Sequence, residues 1–252
     1  MHNQDPSLSE VPRVSVIIPT LEEERTLRRT LEQFSTDLRK TFQLEIIVSD
    51  GGSTDCTLAI ARDLADVVIE HDGTCRQNIS RGRNRGARAA RGEILFFLNA
   101  DVHIEDPDKF FRMMIEAVEN KQVAGATCNV NIYPEEATML DWAFHNFFNG
   151  YFWLLNIFGM GMGRGECQVV RKRTFEQMGG YNESIAAGED YELFLRLEKT
   201  GRIKFVRDVT VFESPRRFRK YGYLSISLLW FINGVSVLLF DRSVTDEWKP
   251  VR

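Results

Sequence analysis

Five apolar residues, Ile94 to Leu98, run without a break and stop at Asn99, Asp101 and His103. An apolar run of this kind suits a strand buried on both faces, as in a parallel sheet covered by helices. The polar residues then fall at the strand's carboxyl end, where open α/β sheets hold their ligands. In an extended segment Asp101 and His103 alternate with Val102 and point the same way. A carboxylate and an imidazole so placed suit a divalent cation. An Asp-rich turn closing a strand produces the same residues, and two residues alone do not separate the readings.

The flanking segments read as the rest of such a sheet. Val14 to Ile18 is β-branched and closed by Pro19, which predicts a strand. Thr20 and Glu23 have capping-box spacing, and Leu27, Leu31, Phe34 and Leu38 recur as on one amphipathic helix. Leu44 to Ser49 predicts a second strand. It ends in Asp50-Gly51-Gly52-Ser53, where glycine lets backbone approach a ligand. A helix through Leu58, Ile60, Ala61 and Leu64 and a short strand from Asp66 to Glu70 follow. Alternating strands and helices predict a parallel sheet with crossover helices.

Arg81, Arg83, Arg85, Arg88 and Arg91 then fan around a helix expected over Asn84 to Ala90. This is the pattern of a solvated basic helix, with one or two arginines at the loop-to-helix junction placed to meet a phosphate. Asp106-Pro107 opens another helix, and Val123 to Val130 predicts a strand. Met139 to Met162 holds eight aromatic residues from Trp142 to Phe158. A core helix and a membrane- or acceptor-facing surface both account for it. Gly165 to Phe175 predicts a strand then a helix, and Gly179-Gly180-Tyr181 a turn. Glu189 and Asp190 open a further helix, where acidic residues are commonly dipole partners. Ile203 to Val206 and Val209 to Phe212 read as two short strands. Tyr223 to Phe240 is about as long as a bilayer span needs. Ser225, Ser227, Asn233, Gly234 and Ser236 within it favour a helix lying on a membrane or on the domain. Arg216, Arg217, Arg219 and Lys220 just before it suit anionic headgroups.

A chain of 252 residues fits one large α/β domain with an appendage. We expect a disordered lead over 1–12 and a domain over 13–215. Its nucleotide-binding half spans 13–104 and its acceptor-binding half 105–215, with a basic and apolar helical segment over 216–252. The net charge of -4 argues against a nucleic-acid partner. The four cysteines form no Cys-x-x-Cys pair and suit a reducing compartment. The polar first ten residues lack a signal peptide's apolar core, so the expected location is cytoplasmic, peripheral on the membrane's cytoplasmic face.

Four stretches, in order, resemble the family 2 glycosyltransferases of GT-A fold. They are Ile17 to Glu24, Ile47 to Asp55, the Arg/Asn/Gly segment leading into Leu98 to Asp101, and Gly179 to Glu183 followed by Gly188 to Asp190. The resemblance covers roughly Val14 to Phe212. It implies a mixed, mainly parallel sheet flanked by helices. It also implies inverting transfer of a sugar from a UDP- or GDP-linked donor to an acceptor hydroxyl, with Mn2+ or Mg2+ as cofactor.

By resemblance Pro19, Thr20, Glu23 and Asp50 serve the nucleoside, Arg81 the diphosphate, and Asp101 with His103 the metal, while Asn99, at the first position of the metal motif, is a neutral oxygen ligand of the donor site. Asp190 is the general base, with Glu189 its neighbour. The apolar segments make a lipid-linked or membrane-presented acceptor the first expectation. Two positions depart from the family pattern. Glu22 stands where an Asn is usual, and Asn99 where the first Asp of an Asp-x-Asp motif is usual. Both favour the alternative, a catalytically inactive nucleotide-sugar or membrane-partner binding protein. An intact Glu189-Asp190 pair counts against it. The first strand lacks the Gly-x-Gly-Thr-Arg loop of sugar-phosphate nucleotidyltransferases and the Gly-x-Gly-x-x-Gly of dinucleotide-binding domains.

Overall fold

The computed structural model of the chain describes residues 11–73, 78–185, 187–240 and 243–244. The expected lead therefore lies almost wholly outside the described residues. Strand β1 (Val14–Thr20) is followed by helices α1 (Leu27–Glu32) and α2 (Thr36–Phe42), then by β2 (Leu44–Asp50), α3 (Thr57–Leu64) and β3 (Val67–Ile69). Helix α4 (Ile79–Ala89) leads into β4 (Ile94–Leu98) and a short β5 (His103–Ile104). The second half runs α5 (Pro107–Glu119), β6 (Val123–Ile132), α6 (Met139–Ile157), β7 (Cys167–Arg171), α7 (Lys172–Gln177), α8 (Glu189–Glu198) and β8 (Arg202–Glu213). Two further helices, α9 (Arg216–Tyr221) and α10 (Tyr223–Phe240), close the described chain.

All eight strands form one mixed sheet in the order β3-β2-β1-β4-β7-β6-β8-β5. The first four are parallel neighbours, and β7 pairs antiparallel with both β4 and β6. Strand β8 runs parallel to β6 and antiparallel to β5. Side-chain alternation divides the core. Val16, Ile18, Ile46, Phe96 and Leu98 pack against Leu31, Phe110, Phe111 and Met114 on one face. Ile17, Ile47, Leu95 and Phe97 pack against Ala87, Tyr181, Leu193 and Phe194 on the other. The uninterrupted apolar run of β4 is thus explained, because it is buried by helices on both faces.

Three local expectations are corrected. The single helix expected from Leu27 to Leu38 is two helices, because the Ser35 hydroxyl caps α2 by accepting from the Leu38 amide at 3.3 Å. Thr20 caps nothing; it lies in β1, and its hydroxyl donates to Asp50 Oδ1 at 3.1 Å. The two strands expected near Ile203 and Val209 are one, β8, with an irregularity against β6 after Cys128.

Helix α6 is inside out for a helix of a soluble protein. Its buried residues are Asp141, His145, Asn149, Phe152 and Asn156, whereas Trp142, Phe147, Ile157 and Phe158 are exposed. The buried amides have partners: Asn149 bonds both backbone groups of Val130, and Asn156 both those of Met162. Helix α10 packs on α6 through Phe148 and Trp230, with ring centroids 5.5 Å apart, and likewise exposes Leu224, Leu228 and Phe231. Among the described residues no helix is long and apolar enough to cross a membrane.

Candidate active site

Helix α4 approaches β1 as closely as glycine permits. A Cβ at Gly86 would lie 2.3 Å from Ile17 Cγ2, and one at Gly82 would lie 3.1 Å from Pro19 Cβ. This contact carries the next residue of the helix, Arg83, into the interior, where its side chain is fully buried. The guanidinium donates from Nη1 to Glu189 Oε1 at 2.8 Å and from Nη2 to Asn99 Oδ1 at 3.0 Å and the Gly165 carbonyl at 2.7 Å. It also lies 5.2 Å from the centre of the Tyr181 ring. One cation thus joins the end of β4, the turn before β7 and the start of α8. The solvated surface expected for most of these arginines holds at Arg88, which is exposed, but not at Arg83, the hub of a buried polar network. Asn84, its neighbour, pins the Gly179-Gly180 turn by exchanging 2.9 Å bonds with both backbone groups of Tyr181.

A cavity of about 500 Å³ opens at the carboxyl ends of β1, β2 and β4. It is lined by Pro19, Thr20, Glu23, Arg81, Asn99, Asp101, Glu189 and Asp190, so eight of the ten expected site residues share one space. Asp50 and His103 do not line it. The Asp50 carboxylate is fully buried and accepts from the Thr20 and Ser53 hydroxyls and from the Gly52 and Ser53 amides. It therefore shapes the loop after β2.

Asp101 sits in a turn closed by the Val102 amide on the Asn99 carbonyl at 3.2 Å, so the alternation expected of an extended segment does not hold there. His103 faces Arg29 and Glu135; burial and then Arg29 keep its imidazole below the ordinary range. The turn is braced from behind. Thr30 Oγ1 donates to the Ala100 carbonyl at 2.8 Å, Gln33 bonds the Val102 carbonyl and the Ile104 amide, and the Tyr133 hydroxyl donates to the Asp101 carbonyl.

Arg216 Nη2 bridges the Asp101 and Glu23 carboxylates, 3.3 Å from Asp101 Oδ2 and 2.7 Å from Glu23 Oε2. Burial raises the pKa of both carboxyls against the pull of Arg216, with Asp101 adding to the rise of Glu23 and Glu166 to that of Asp101. Among the described residues no three His, Cys, Asp or Glu side chains converge as a metal cage. A hard divalent cation that takes one or two carboxylates and completes its shell with phosphate oxygens and water needs no such cage. The Asp101–Glu23 pair fits that arrangement, with a guanidinium now on the same oxygens.

Asp190, at the first turn of α8, faces Gly165. A methyl there would come 3.4 Å from Asp190 Oδ2 and 3.5 Å from Arg83 Nη2. Burial, with the neighbouring Glu189 second, pushes the Asp190 carboxyl up to about 8 against the pull of Arg83. The two adjacent acids are therefore unlike: Glu189 holds the ion pair, and Asp190 holds a proton near neutrality.

Three lining residues carried no sequence signal: Arg164, Glu166 and Glu213 form a second, largely buried ionic group. Phe152, Trp230 and Asn233, from the two apolar segments, wall the cavity from α6 and α10. Nothing in spacing marks the ionic group, because β7 and β8 meet only in the folded chain.

The family model described as "Glycosyl transferase family 2" matches residues 15–179. The "O-antigen biosynthesis protein RfbC" of Myxococcus xanthus is 25% identical over 211 residues, which are 75% of this chain and 16% of that protein. The solved structure titled "Mannosyltransferase PcManGT from Pyrobaculum calidifontis in complex with GDP-Man and Mn2+" superposes with a TM-score of 0.63 and 22% identity. The match covers 82% of this chain and 58% of that one. "S. aureus TarS 1-349 in complex with UDP-GlcNAc" superposes with a TM-score of 0.60 and 18% identity, over 79% of this chain and 58% of that one. The chain spans only part of each relative's length, and the structural likenesses carry the fold. With 165 of 252 residues inside the family match, from 15 through 179, the chain belongs to glycosyl transferase family 2.

Proposed function

We propose that the protein transfers a sugar from a nucleoside-diphosphate donor to an acceptor hydroxyl with inversion. The observation that supports this most is the single cavity that joins Asp101 and Glu23, at the strand ends, to Asp190 at the start of α8. Pro19, Thr20 and the backbone of the loop shaped by Asp50 form the nucleoside end. A divalent cation held by Asp101 and Glu23 would supply charge to the leaving diphosphate. Arg81 and Arg216 line the same end, and Arg216 is positioned to move from the two carboxylates to phosphate oxygens when that cation is present. Asp190, once deprotonated, takes the proton of the attacking hydroxyl. Asn99 is no defect in this scheme, because its oxygen already accepts from Arg83 and orients the hub. The family's GDP-Man- and UDP-GlcNAc-bound structural relatives leave the nucleobase open.

Binding of UDP or GDP, with Mn2+ or Mg2+, is expected to raise the melting temperature by mass action. The rise should depend on the metal and vanish in Asp101→Ala. A rise that survives that substitution would remove Asp101 from the donor site.

The acceptor is read as a hydroxyl presented at a membrane surface. The outward aromatic face of α6 and the apolar face of α10 support this, since their inner faces wall the cavity. Phe147 is 67% exposed and Phe231 69%. The full chain should sediment with anionic vesicles, and Phe147→Ser with Phe231→Ser should release it without lowering the melting temperature. A wild-type chain that stays in the supernatant would sink the membrane reading.

A further inference from the structure

If Asp101 marks the leaving diphosphate and Asp190 the attacking hydroxyl, as proposed above, the transferred sugar lies between them. Glu166 acts electrostatically on both Asp101 and Asp190, and Asp101 acts on Glu213. Both line the cavity together with Arg164. Arg164 is 97% buried (3% exposed). It donates from Nε to Glu166 Oε2 at 3.2 Å and from Nη2 to Glu213 Oε1 at 3.1 Å, and its Nη1 is buried with no hydrogen-bond partner. A buried guanidinium with an unused donor in a cavity wall is an incomplete site, because such a group is costly unless a ligand completes it. The Trp230 ring, centred 5.9 Å from the Arg164 guanidinium carbon, adds a flat apolar surface beside it.

The charge balance selects the ligand. Four carboxyl groups, Glu166, Glu189, Asp190 and Glu213, face two guanidiniums, Arg83 and Arg164. Both guanidiniums already hold carboxylate partners, Arg83 with Glu189 and Arg164 with Glu166 and Glu213. The cations nearest by, Arg216 and Arg217, act first on Asp101, where the diphosphate needs them. Burial, followed by Glu166, raises the Glu213 carboxyl well above its ordinary value. The group therefore presents carboxyl oxygens as acceptors around the Arg164 guanidinium, whose Nη1 is left without a partner. That set matches sugar hydroxyls, and among the described residues four carboxyl groups outnumber the two guanidiniums they face, which disfavours an anionic substituent. We infer that Arg164, Glu166 and Glu213 read the transferred sugar, admitting a neutral hexosyl group and rejecting a hexuronosyl one.

The test uses donor pairs that differ only in CH2OH against carboxylate at C5. Calorimetric titration of the full chain in Mn2+ would compare UDP-glucose with UDP-glucuronate and GDP-mannose with GDP-mannuronate, with UDP and GDP as references. For the nucleotide that binds, the uronate should be at least roughly ten-fold weaker than its neutral partner. Glu166→Gln and Glu213→Gln should each narrow the gap by making this wall less acidic. Equal affinity within a pair would overturn the inference while the donor reading stands. Failure of both nucleotides to bind would overturn the donor reading and this inference with it. If both variants prove unfolded, the wild-type comparison alone decides.

Discussion

Asp190→Asn should lower turnover by roughly a hundred- to ten-thousand-fold, the usual contribution of a positioned general base. Donor affinity should stay within about two-fold, since Asp190 makes no bond to the Asp101 end of the cavity. Single-turnover transfer and calorimetric donor binding, measured on the same preparation, separate the two effects. The amide keeps the carboxyl's shape, so the fold is not at stake. Retained turnover would remove Asp190 from the chemistry.

The pH profile gives an independent readout. A base acts only when deprotonated, so kcat/KM of the wild type should rise with pH and level off above about 8, where the Asp190 carboxyl is pushed by burial and by Glu189. Stability runs the other way. The folded state holds the Asp190 proton more tightly than the unfolded chain, whose carboxyl has its ordinary value. Its contribution is therefore complete at acid pH and declines as pH rises toward about 8. Asp190→Asn should abolish both trends together. Loss of only one would mean that a different group titrates.

Arg83→Met should be the most destabilising single change in the cavity wall. It leaves the buried Glu189 carboxylate without its 2.8 Å partner and deprives Asn99 and the Gly165 carbonyl of their donor. Breaking a buried pair in this way costs about 3–5 kcal/mol, a large share of the roughly 5–15 kcal/mol that holds a domain together. Melting temperature should fall by roughly 10 °C or more. Lysine should not rescue it, because a single ammonium cannot reproduce a planar fork that reaches three acceptors. Removing the stranded charge with Glu189→Gln in the same chain should recover part of the loss, which a double-mutant cycle would read as coupling. Additive losses would mean that the pair contributes nothing jointly.

Legibility followed the range of the interactions. Strands β1, β2 and β4 were readable because doubly buried strands must be apolar throughout, and turns mark their ends. The division of Leu27 to Leu38 into two helices was not read from periodicity, because one hydroxyl, Ser35, outweighs the repeat. The Asp101–His103 alternation failed for a similar reason. A turn held by Thr30 and Tyr133, residues from α1 and from the end of β6, sets the direction of Asp101. The basic stripe of α4 does not reveal Arg83, because composition cannot tell which arginine a close helix–strand contact will bury.

The sequence by itself determined the sheet, its flanking helices and the family, together with eight residues that meet in one cavity. These follow from local pattern: apolar runs, glycine at close approaches and polar residues at strand ends. Only the tertiary structure decided what each charge does. It placed Arg83 on Glu189, Arg216 across Asp101 and Glu23, and Arg164 between Glu166 and Glu213, pairing residues as far apart in the chain as Glu23 and Arg216. A side chain's charge is written in its type, but its partner and its burial depend on which distant segments fold against it. In a medium of low dielectric, those two quantities set whether a carboxyl pairs, binds a cation or keeps its proton.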